Sequence, residues 1–146
     1  MLASNLDKNK YKNVCIIDTN VKLAPKIKVS GGAKCNITNE LVTYKNYLGD
    51  RDFVKELLEK FSKDDLLAFL NKNGVFPKIN PKIVKGTYFC DSSQDVIDMF
   101  TKLTTHVKKY LNTTVLDVDF NKHYKIKTDT KLIEAKKLVV ASGGLS

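Results

Sequence analysis

Hydrophobic and polar positions near the N-terminus predict a strand and a glycine turn. Residues 13–18 form a short apolar run with β-branched side chains, closed by an aspartate, which is typical of a buried strand. Residues 25–30 alternate and lead into Gly31 and Gly32, so we expect a short strand that enters a turn there. Residues 1–6 are interpreted as the last turn of a helix.

Two amphipathic helices are predicted next. Residues 52–61 place apolar side chains at i, i+4, i+5 and i+8, which form one helix face. Ser62 is the predicted N-cap of the following helix, because acidic residues occupy the first turn after it. Asn73 and Gly74 supply a C-terminal signal for that helix.

A loop and a third helix follow. Residues 75–90 contain Pro77, Pro81 and Gly86 and are expected to form a loop or a short hairpin. Ser92 or Ser93 is the expected cap of a helix that runs to about Leu111. Its predicted apolar stripe is Val96, Phe100, Leu103, Val107 and Leu111.

The C-terminal part is predicted to be rich in strands. Residues 113–118, 123–128 and 132–134 are expected to form a β-meander. Residues 137–141 form an apolar run that enters a second glycine turn at 142–144, and we expect a strand there. The order of strand, helices, meander and strand gives the chain an α/β character.

Composition limits the class of protein. With 42% hydrophobic and 28% charged residues among 146, the chain has the composition of one soluble globular domain. It has no apolar run long enough to span a membrane and no signal-peptide pattern. Its three cysteines have no C-x-x-C spacing, so we expect a cytoplasmic protein without disulfides or a metal site. Cys15 is expected in the core.

The large positive charge of the chain is only weak evidence for an anionic partner. The net charge is +9, but Arg51 is the one arginine among 25 basic residues. Lysine lacks the planar fork with which arginine reads bases and phosphates. The lysines are also spread along the chain, so we expect a solvated surface and no nucleic-acid partner.

The two glycine turns suggest a nucleotide cofactor. Each follows an apolar run, and glycine lets backbone N–H groups approach a phosphate or a flat ring. Asp18 ends the first strand, where an acidic residue of a dinucleotide-binding fold accepts hydrogen bonds from ribose hydroxyls. The alternative is that Asp18 only opens a turn, which is the commoner role of aspartate.

One segment resembles a known signature. Residues 30–39, SGGAKCNITN, are similar to the S-G-G-G-R-C-N-x-T-N motif of the BaiN/YhiN-like flavoproteins, with Ala33 for glycine and Lys34 for arginine. These are NAD(P)/FAD-dependent, aminoacetone-oxidase-like oxidoreductases. Other similar segments, in order along the chain, are residues 15–18, FSKDDL at 61–66, GTYFC at 86–90 (G-R-x-F-P in the family) and LVVASGGLS at 138–146.

The resemblance implies part of a two-dinucleotide-type, Rossmann-like FAD-binding domain. It implies a single partial domain over 1–146, with the second strand and signature loop in 1–39, a helical segment in 40–112, and the meander and return strand in 113–146. FAD is the implied cofactor and NAD(P)H the electron donor. The implied cofactor-binding residues are Asp18, Ser30, Gly31, Gly32, Ala33, Lys34, Cys35, Asn36, Thr38, Asn39, Val115, Ala141, Ser142, Gly143 and Gly144. The resemblance names no catalytic residue. Cys35 is expected to be a small, buried, unreactive side chain, and the alternative is a redox or thiolate role beside Lys34.

The sequence also departs from the family. It has no G-x-G-x-x-G motif for the FAD pyrophosphate, and the family's substrate domain would follow residue 146. We therefore expect the isolated chain to bind FAD poorly, to aggregate, and to need the remaining parts of the same flavoprotein. Two alternatives stay open: a non-enzymatic basic domain that binds nucleic acid or protein, and a non-functional remnant.

Overall fold

The computed structural model describes residues 1–30, 32, 34–79 and 85–143. The chain divides into two compact units. Unit 1 comprises Met1–Leu6 and Ala24–Thr105, and unit 2 comprises Asp7–Leu23 and His106–Ser146. The expectation of a single partial domain stays a prediction.

Unit 1 contains the helices. They are α1 (Leu2–Asn5), α2 (Pro25–Val29), a 3₁₀ turn (Tyr44–Asn46), α3 (Arg51–Lys60), α4 (Lys63–Lys72) and α5 (Ser93–Leu103). The predicted caps are confirmed: the Ser62 hydroxyl accepts from the Asp65 N–H at 3.2 Å, and the Ser92 hydroxyl accepts from the Gln94 N–H at 3.1 Å. These bonds satisfy backbone donors that a first helical turn leaves unpaired. Helix α4 ends before Asn73 and Gly74, as predicted.

A small antiparallel sheet completes unit 1. Strands β2 (Asn36–Asn39), β3 (Lys78–Ile79) and β4 (Thr87–Phe89) lie in the order β2-β4-β3. The short hairpin expected within residues 75–90 is therefore confirmed. The buried core of this unit consists of Cys35, Leu70, Val75, Cys90, Val96 and Met99.

Unit 2 contains two separate sheets. In the first, β1 (Cys15–Ile17) and β5 (Lys108–Tyr110) are parallel, with Cys15 opposite Lys108. In the second, β6 (Val115–Asn121), β7 (His123–Thr128) and β8 (Leu132–Ala135) form the predicted antiparallel meander. Strand β6 begins two residues later and runs three residues further than predicted.

The strand predicted at residues 25–30 is wrong. Residues Pro25–Val29 form α2, with Pro25 in the first helical turn. Proline fixes φ near the helical value and lacks an N–H that would be unpaired there, so it favours a helix start. Within this helix, the apolar side chain of Ile27 packs against the core.

The predicted length of the third helix is also wrong. Helix α5 ends at Leu103, where the Thr104 hydroxyl donates to the Phe100 carbonyl at 2.7 Å. Residues 108–110 are strand β5 instead. Parallel pairing with β1 and burial of Val107, which is 4% exposed, outweigh the helical pattern.

The strand predicted at 137–141 is a third error. These residues have no regular secondary structure, and Val139 and Val140 are 63% and 79% exposed. A strand needs a hydrogen-bonded neighbour, and within the described residues none is paired with this run.

Candidate cofactor-binding site

Asp18 lies directly after β1, at the carboxyl end of the parallel pair. Its Oδ1 accepts from the N–H of Asn20 at 2.9 Å and from the Asn20 side-chain amide at 2.8 Å. Its own N–H donates to the Tyr110 carbonyl at 2.9 Å, which anchors the residue to β5. Asp18 therefore opens a turn, as the alternative interpretation stated. Its Oδ2 has no hydrogen-bond or ion-pair partner among the described residues and could still accept from a ligand hydroxyl.

The segment before β6 lies beside this turn. The N–H of Thr113 donates to the Asp18 carbonyl at 3.1 Å, and the N–H of Asn112 donates to the Asn20 carbonyl at 3.0 Å. Asn112 has φ +49°, a conformation that asparagine tolerates better than most residues. Within unit 2, Asp18 therefore lies close to Asn112 and Thr113, which lead into β6. The first residue of β6, Val115, has a side chain that is 42% exposed. Neither Asn112 nor Thr113 was predicted as a site residue, because the sequence pattern placed Leu111 in a helix and gave no signal for the turn that follows β5.

The signature loop of unit 1 is closed by its own backbone. The N–H of Cys35 donates to the Ser30 carbonyl at 3.0 Å, and the Ser30 N–H caps α2 by donating to Lys26 and Ile27. Gly32 has φ +63°, which favours glycine, and no atom lies within 4 Å of where a Cβ would be. Gly31 and Ala33, both predicted site residues, lie outside the described residues.

The other side chains of the signature loop differ in how far they are exposed to solvent. Lys34 and Asn36 are exposed, whereas Thr38 is half-buried in β2. The Asn39 amide donates to the Lys85 carbonyl at 2.9 Å and to the Thr87 hydroxyl at 3.1 Å. Its oxygen accepts from the Leu41 N–H at 2.8 Å. Asn39 therefore fixes the end of the loop; its expected cofactor contact stays a prediction.

Two cysteines of this unit are buried. Cys35 is 5% exposed and Cys90 is 3% exposed, and burial raises the pKa of both thiols. The pKa of Cys90 reaches about 11, through burial first and the neighbouring Cys35 second. Cys35 is thus buried, as expected. Cys15, by contrast, is exposed as the first residue of β1, so the expectation that it lies in the core is wrong.

The second glycine turn belongs to unit 2. Ala141, Ser142 and Gly143 are exposed, and Gly143 has φ +74°. Gly144 lies outside the described residues. The glycine conformation agrees with a turn, although the preceding strand is not formed.

These groups suit an adenine dinucleotide in their chemistry. A carboxylate oxygen free to accept lies at the end of a parallel pair, where such folds bind ribose. An exposed lysine and a positive-φ glycine occupy the signature loop, and both favour phosphate. In the part of the chain that the structure describes, no cluster of His, Cys, Asp and Glu could hold a metal ion. Nor is any described helix long and apolar enough to cross a membrane.

Comparison with known proteins agrees with this chemistry. A family profile described as "HI0933-like protein Rossmann domain" matches residues 1–146. Ribosomal RNA dihydrouridine synthase of Escherichia coli strain K12 is 32% identical over 100% of this chain and 37% of its own length. The Haemophilus influenzae synthase of the same name is 30% identical over 92% of the chain and 35% of its own. The 3-dehydro-bile acid delta(4,6)-reductase of Clostridium scindens is 26% identical over 90% of the chain and 32% of its own.

The chain therefore spans about a third of the length of these relatives. Its mixture of helices, a parallel strand pair and a C-terminal meander fits a Rossmann-type domain. Because the profile covers the whole chain, the protein belongs to the HI0933-like Rossmann-domain family, a BaiN/YhiN-like family of FAD-binding oxidoreductases.

Proposed function

We propose that this chain is FAD-binding machinery of an oxidoreductase that receives electrons from NADH or NADPH. The family match over residues 1–146 is the observation that carries the proposal. The donor is proposed because both kinds of relative have names that describe reductions, and a reduction needs a supply of electrons. That these residues are part of a longer protein stays a prediction.

In unit 2, Asp18 is the proposed ribose-binding residue. Its Oδ1 is held by Asn20 and its backbone by Tyr110 and Thr113, so Oδ2 has a fixed position. A carboxylate held in this way accepts a ligand hydrogen bond without first losing side-chain freedom. A charge-assisted hydrogen bond from a ribose hydroxyl contributes about 1.5–3 kcal/mol.

In unit 1, the loop from Ser30 to Asn39 is the proposed flavin and phosphate contact. Asn39 and the Cys35–Ser30 backbone bond hold the loop at both ends. Lys34 lies between Ser30 and Cys35 in this loop and has an exposed side chain. Its ammonium group would neutralise phosphate charge as a single charged contact. Bound FAD would supply hydride transfer, and the protein would supply binding and orientation.

The proposed reaction is reduction of a carbon–carbon double bond made electron-poor by a carbonyl group. A dihydrouridine is a uridine with one ring double bond reduced, and a delta(4,6)-reductase of a 3-dehydro-bile acid reduces bonds conjugated to a ketone. The shared chemistry would belong to the whole protein, of which this chain would be the FAD-binding part. No substrate-binding residue is assigned.

The first test identifies the cofactor and the donor. The protein that contains these residues is purified, and its flavin is released by heat and identified by chromatography. We expect FAD, with bleaching of the absorbance near 450 nm when NADH or NADPH is added without oxygen. A protein free of flavin that also fails to bind added FAD would contradict the proposal and favour the basic binding module or the remnant.

A second candidate concerns RNA as the substrate. The two relatives with 32% and 30% identity are named for ribosomal RNA, and the chain carries a net charge of +9. If RNA is the substrate, the flavoprotein with its nicotinamide donor forms dihydrouridine in protein-free ribosomal RNA, which mass spectrometry detects. Activity on a conjugated steroid ketone and none on RNA would instead agree with our expectation that nucleic acid is not a partner.

A further inference from the structure

Two buried cysteines lie across from each other in unit 1. The antiparallel pairing of β2 and β4 ends with Asn36 opposite Phe89, and Cys35 and Cys90 are the residues directly outside this last pair, where the φ of +53° at Cys35 turns the chain away from strand geometry. The N–H of Cys90 donates to the Lys34 carbonyl at 2.9 Å and to the Cys35 carbonyl at 3.4 Å. The two backbones are therefore directly adjacent at this point.

The spacing of such a pair suits a disulfide. The 3.4 Å separation of the Cys90 nitrogen and the Cys35 carbonyl oxygen brings the two Cα atoms near the roughly 4.4–6.8 Å that a disulfide spans. Both side chains belong to the same buried cluster, and the Cys35 thiol is near enough to contribute to the raised pKa of Cys90. Both are free thiols in the structure.

We propose that Cys35 and Cys90 are a redox pair that closes reversibly to a disulfide and ties the signature loop to strand β4. Cys90 occupies the place where the family's G-R-x-F-P pattern has a proline. The pair is therefore a feature of this chain's own residues. The proposed effect on FAD binding rests on the proposed function, whereas disulfide formation does not.

The oxidant is a peroxide, and the step balances with one molecule of it. The Cys35 sulfur attacks a peroxide oxygen, an S–O bond forms, the O–O bond breaks, and one water leaves with the thiol proton. The Cys90 sulfur then attacks the Cys35 sulfenic acid, the S–S bond forms, the S–O bond breaks, and a second water carries away the Cys90 proton. Two electrons pass from the two sulfurs to the peroxide.

Burial decides the speed and order of this reaction. The thiolate is the nucleophile, and burial raises the pKa of both thiols, so little thiolate is present near neutral pH. Cys90 reaches a pKa of about 11, which leaves Cys35 as the first to react. We expect slow closure at pH 7 and faster closure as the pH rises toward 10.

The test uses the protein that contains these residues, with Cys15→Ser, because Cys15 is exposed and would form bonds between molecules. The folded protein is treated with hydrogen peroxide at several pH values, then unfolded and alkylated with N-ethylmaleimide. We expect a linked Cys35–Cys90 peptide two hydrogens lighter than the two separate peptides, no alkylation of these two residues, and full reversal by dithiothreitol.

Variants with Cys35→Ala or Cys90→Ala in the same background serve as controls. Each retains only one member of the pair, so neither should give the linked peptide. If both thiols of the Cys15→Ser chain stay alkylatable after prolonged peroxide treatment at high pH, the proposal is wrong. It is equally wrong if the bond forms only after unfolding, since the folded geometry would then play no part.

A second measurement separates this proposal from the proposed function. In the protein that contains these residues, we expect the oxidised form to bind FAD about threefold more tightly, because a tethered loop loses less freedom on binding. Equal affinity in both forms overturns the proposed effect on the cofactor. Absence of FAD binding in both forms overturns the proposed function, while the cross-linked peptide still decides the redox pair.

Discussion

Unit 1 and unit 2 bury their apolar side chains to different extents. The six residues of the core cluster all lie in unit 1, where helices α4 and α5 supply Leu70, Val96 and Met99. In unit 2 the buried apolar side chains among the described residues are Val107 and Ile126. Strand β6 instead leaves Leu116 and Phe120 59% and 61% exposed.

The contrast follows from how each kind of element finds its partners. An amphipathic helix buries its apolar face as soon as it packs against one other apolar surface. Unit 1 contains several helices that can pack in this way. A parallel strand pair is normally covered on both faces and extended by further strands. Among the described residues of unit 2, β1 pairs with β5 alone, and exposed strand edges promote pairing between molecules. The expected tendency to aggregate, still a prediction, would therefore originate in unit 2.

The largest expected effect is on the core of unit 1. Leu70 is 2% exposed, so Leu70→Ala should lower the free energy of unfolding by about 2–5 kcal/mol through lost burial and a cavity. Leu116→Ala in unit 2 is the matched control, and a surface change of this kind should cost about 0.5 kcal/mol or less. Urea unfolding measures both. Equal losses would remove the contrast between the units.

The next effect concerns binding in unit 2. Asp18→Asn should weaken FAD binding about tenfold, or 1.4 kcal/mol, because a neutral amide accepts a ribose hydroxyl more weakly than a carboxylate. Titration of flavin fluorescence in the protein that contains these residues gives the affinity.

The control for Asp18 is Asp7→Asn in the same unit. Asp7 accepts from the Asn9 N–H at 2.8 Å in the same kind of turn, but it does not follow a strand. Its replacement should leave FAD affinity unchanged. A similar loss in both variants would reduce Asp18 to a turn-forming residue.

A smaller effect is expected at the start of α4. Ser62→Ala removes the hydroxyl that accepts from the Asp65 N–H and should cost about 1 kcal/mol of unfolding free energy. Ser62→Thr keeps a hydroxyl and should restore most of the loss. If the Ser62→Ala and Ser62→Thr variants unfold at the same urea concentration, the cap does not stabilise the protein.

The smallest effect is a pH dependence of the same cap. Hydrogen bonds from the Ser62 hydroxyl and N–H, at 2.6 and 2.8 Å, lower the pKa of Asp65. The folded protein therefore holds this proton less tightly than the unfolded chain. The stabilisation is fully present above the ordinary aspartate pKa and is lost as the pH falls through the lowered value.

Asp65→Asn should flatten that acid limb. Urea midpoints measured between pH 2 and 6 for the native and variant chains test this prediction. Parallel curves for the two proteins would mean that Asp65 titrates alike in the folded and unfolded states.

Local patterns predicted the elements that depend on local energetics. The caps at Ser62 and Ser92 and the strand at residues 123–128 appear in the structure as predicted. The errors fall at residues 25–30, 104–111 and 137–141, where patterns of apolar residues fit more than one element. At residues 104–111 pairing with distant β1 decided the outcome, and at 137–141 no described strand pairs with the run. At residues 25–30 the helix start favoured by Pro25 prevailed over the alternating pattern.

The candidate site divides in the same way. The signature at residues 30–39 and the acid after the first strand are visible in the sequence, and they point to the family without help from the fold. The sequence does not show which hydrogen bonds the side chains of the signature loop make. Asn39 is engaged by Lys85 and Thr87, which are more than forty residues away along the chain.

By itself the sequence determined the family, the α/β character, and the caps and amphipathic faces of the longer helices. These follow from short-range hydrogen bonding and from residue periodicity, which are written within a few turns of chain. The tertiary structure alone decided that residues 108–110 pair with β1, that Asn112 and Thr113 approach Asp18, and that the Cys90 N–H bonds to the Cys35 carbonyl. Such pairings depend on free energies gained between residues distant in sequence, so folding sets them and local propensity does not.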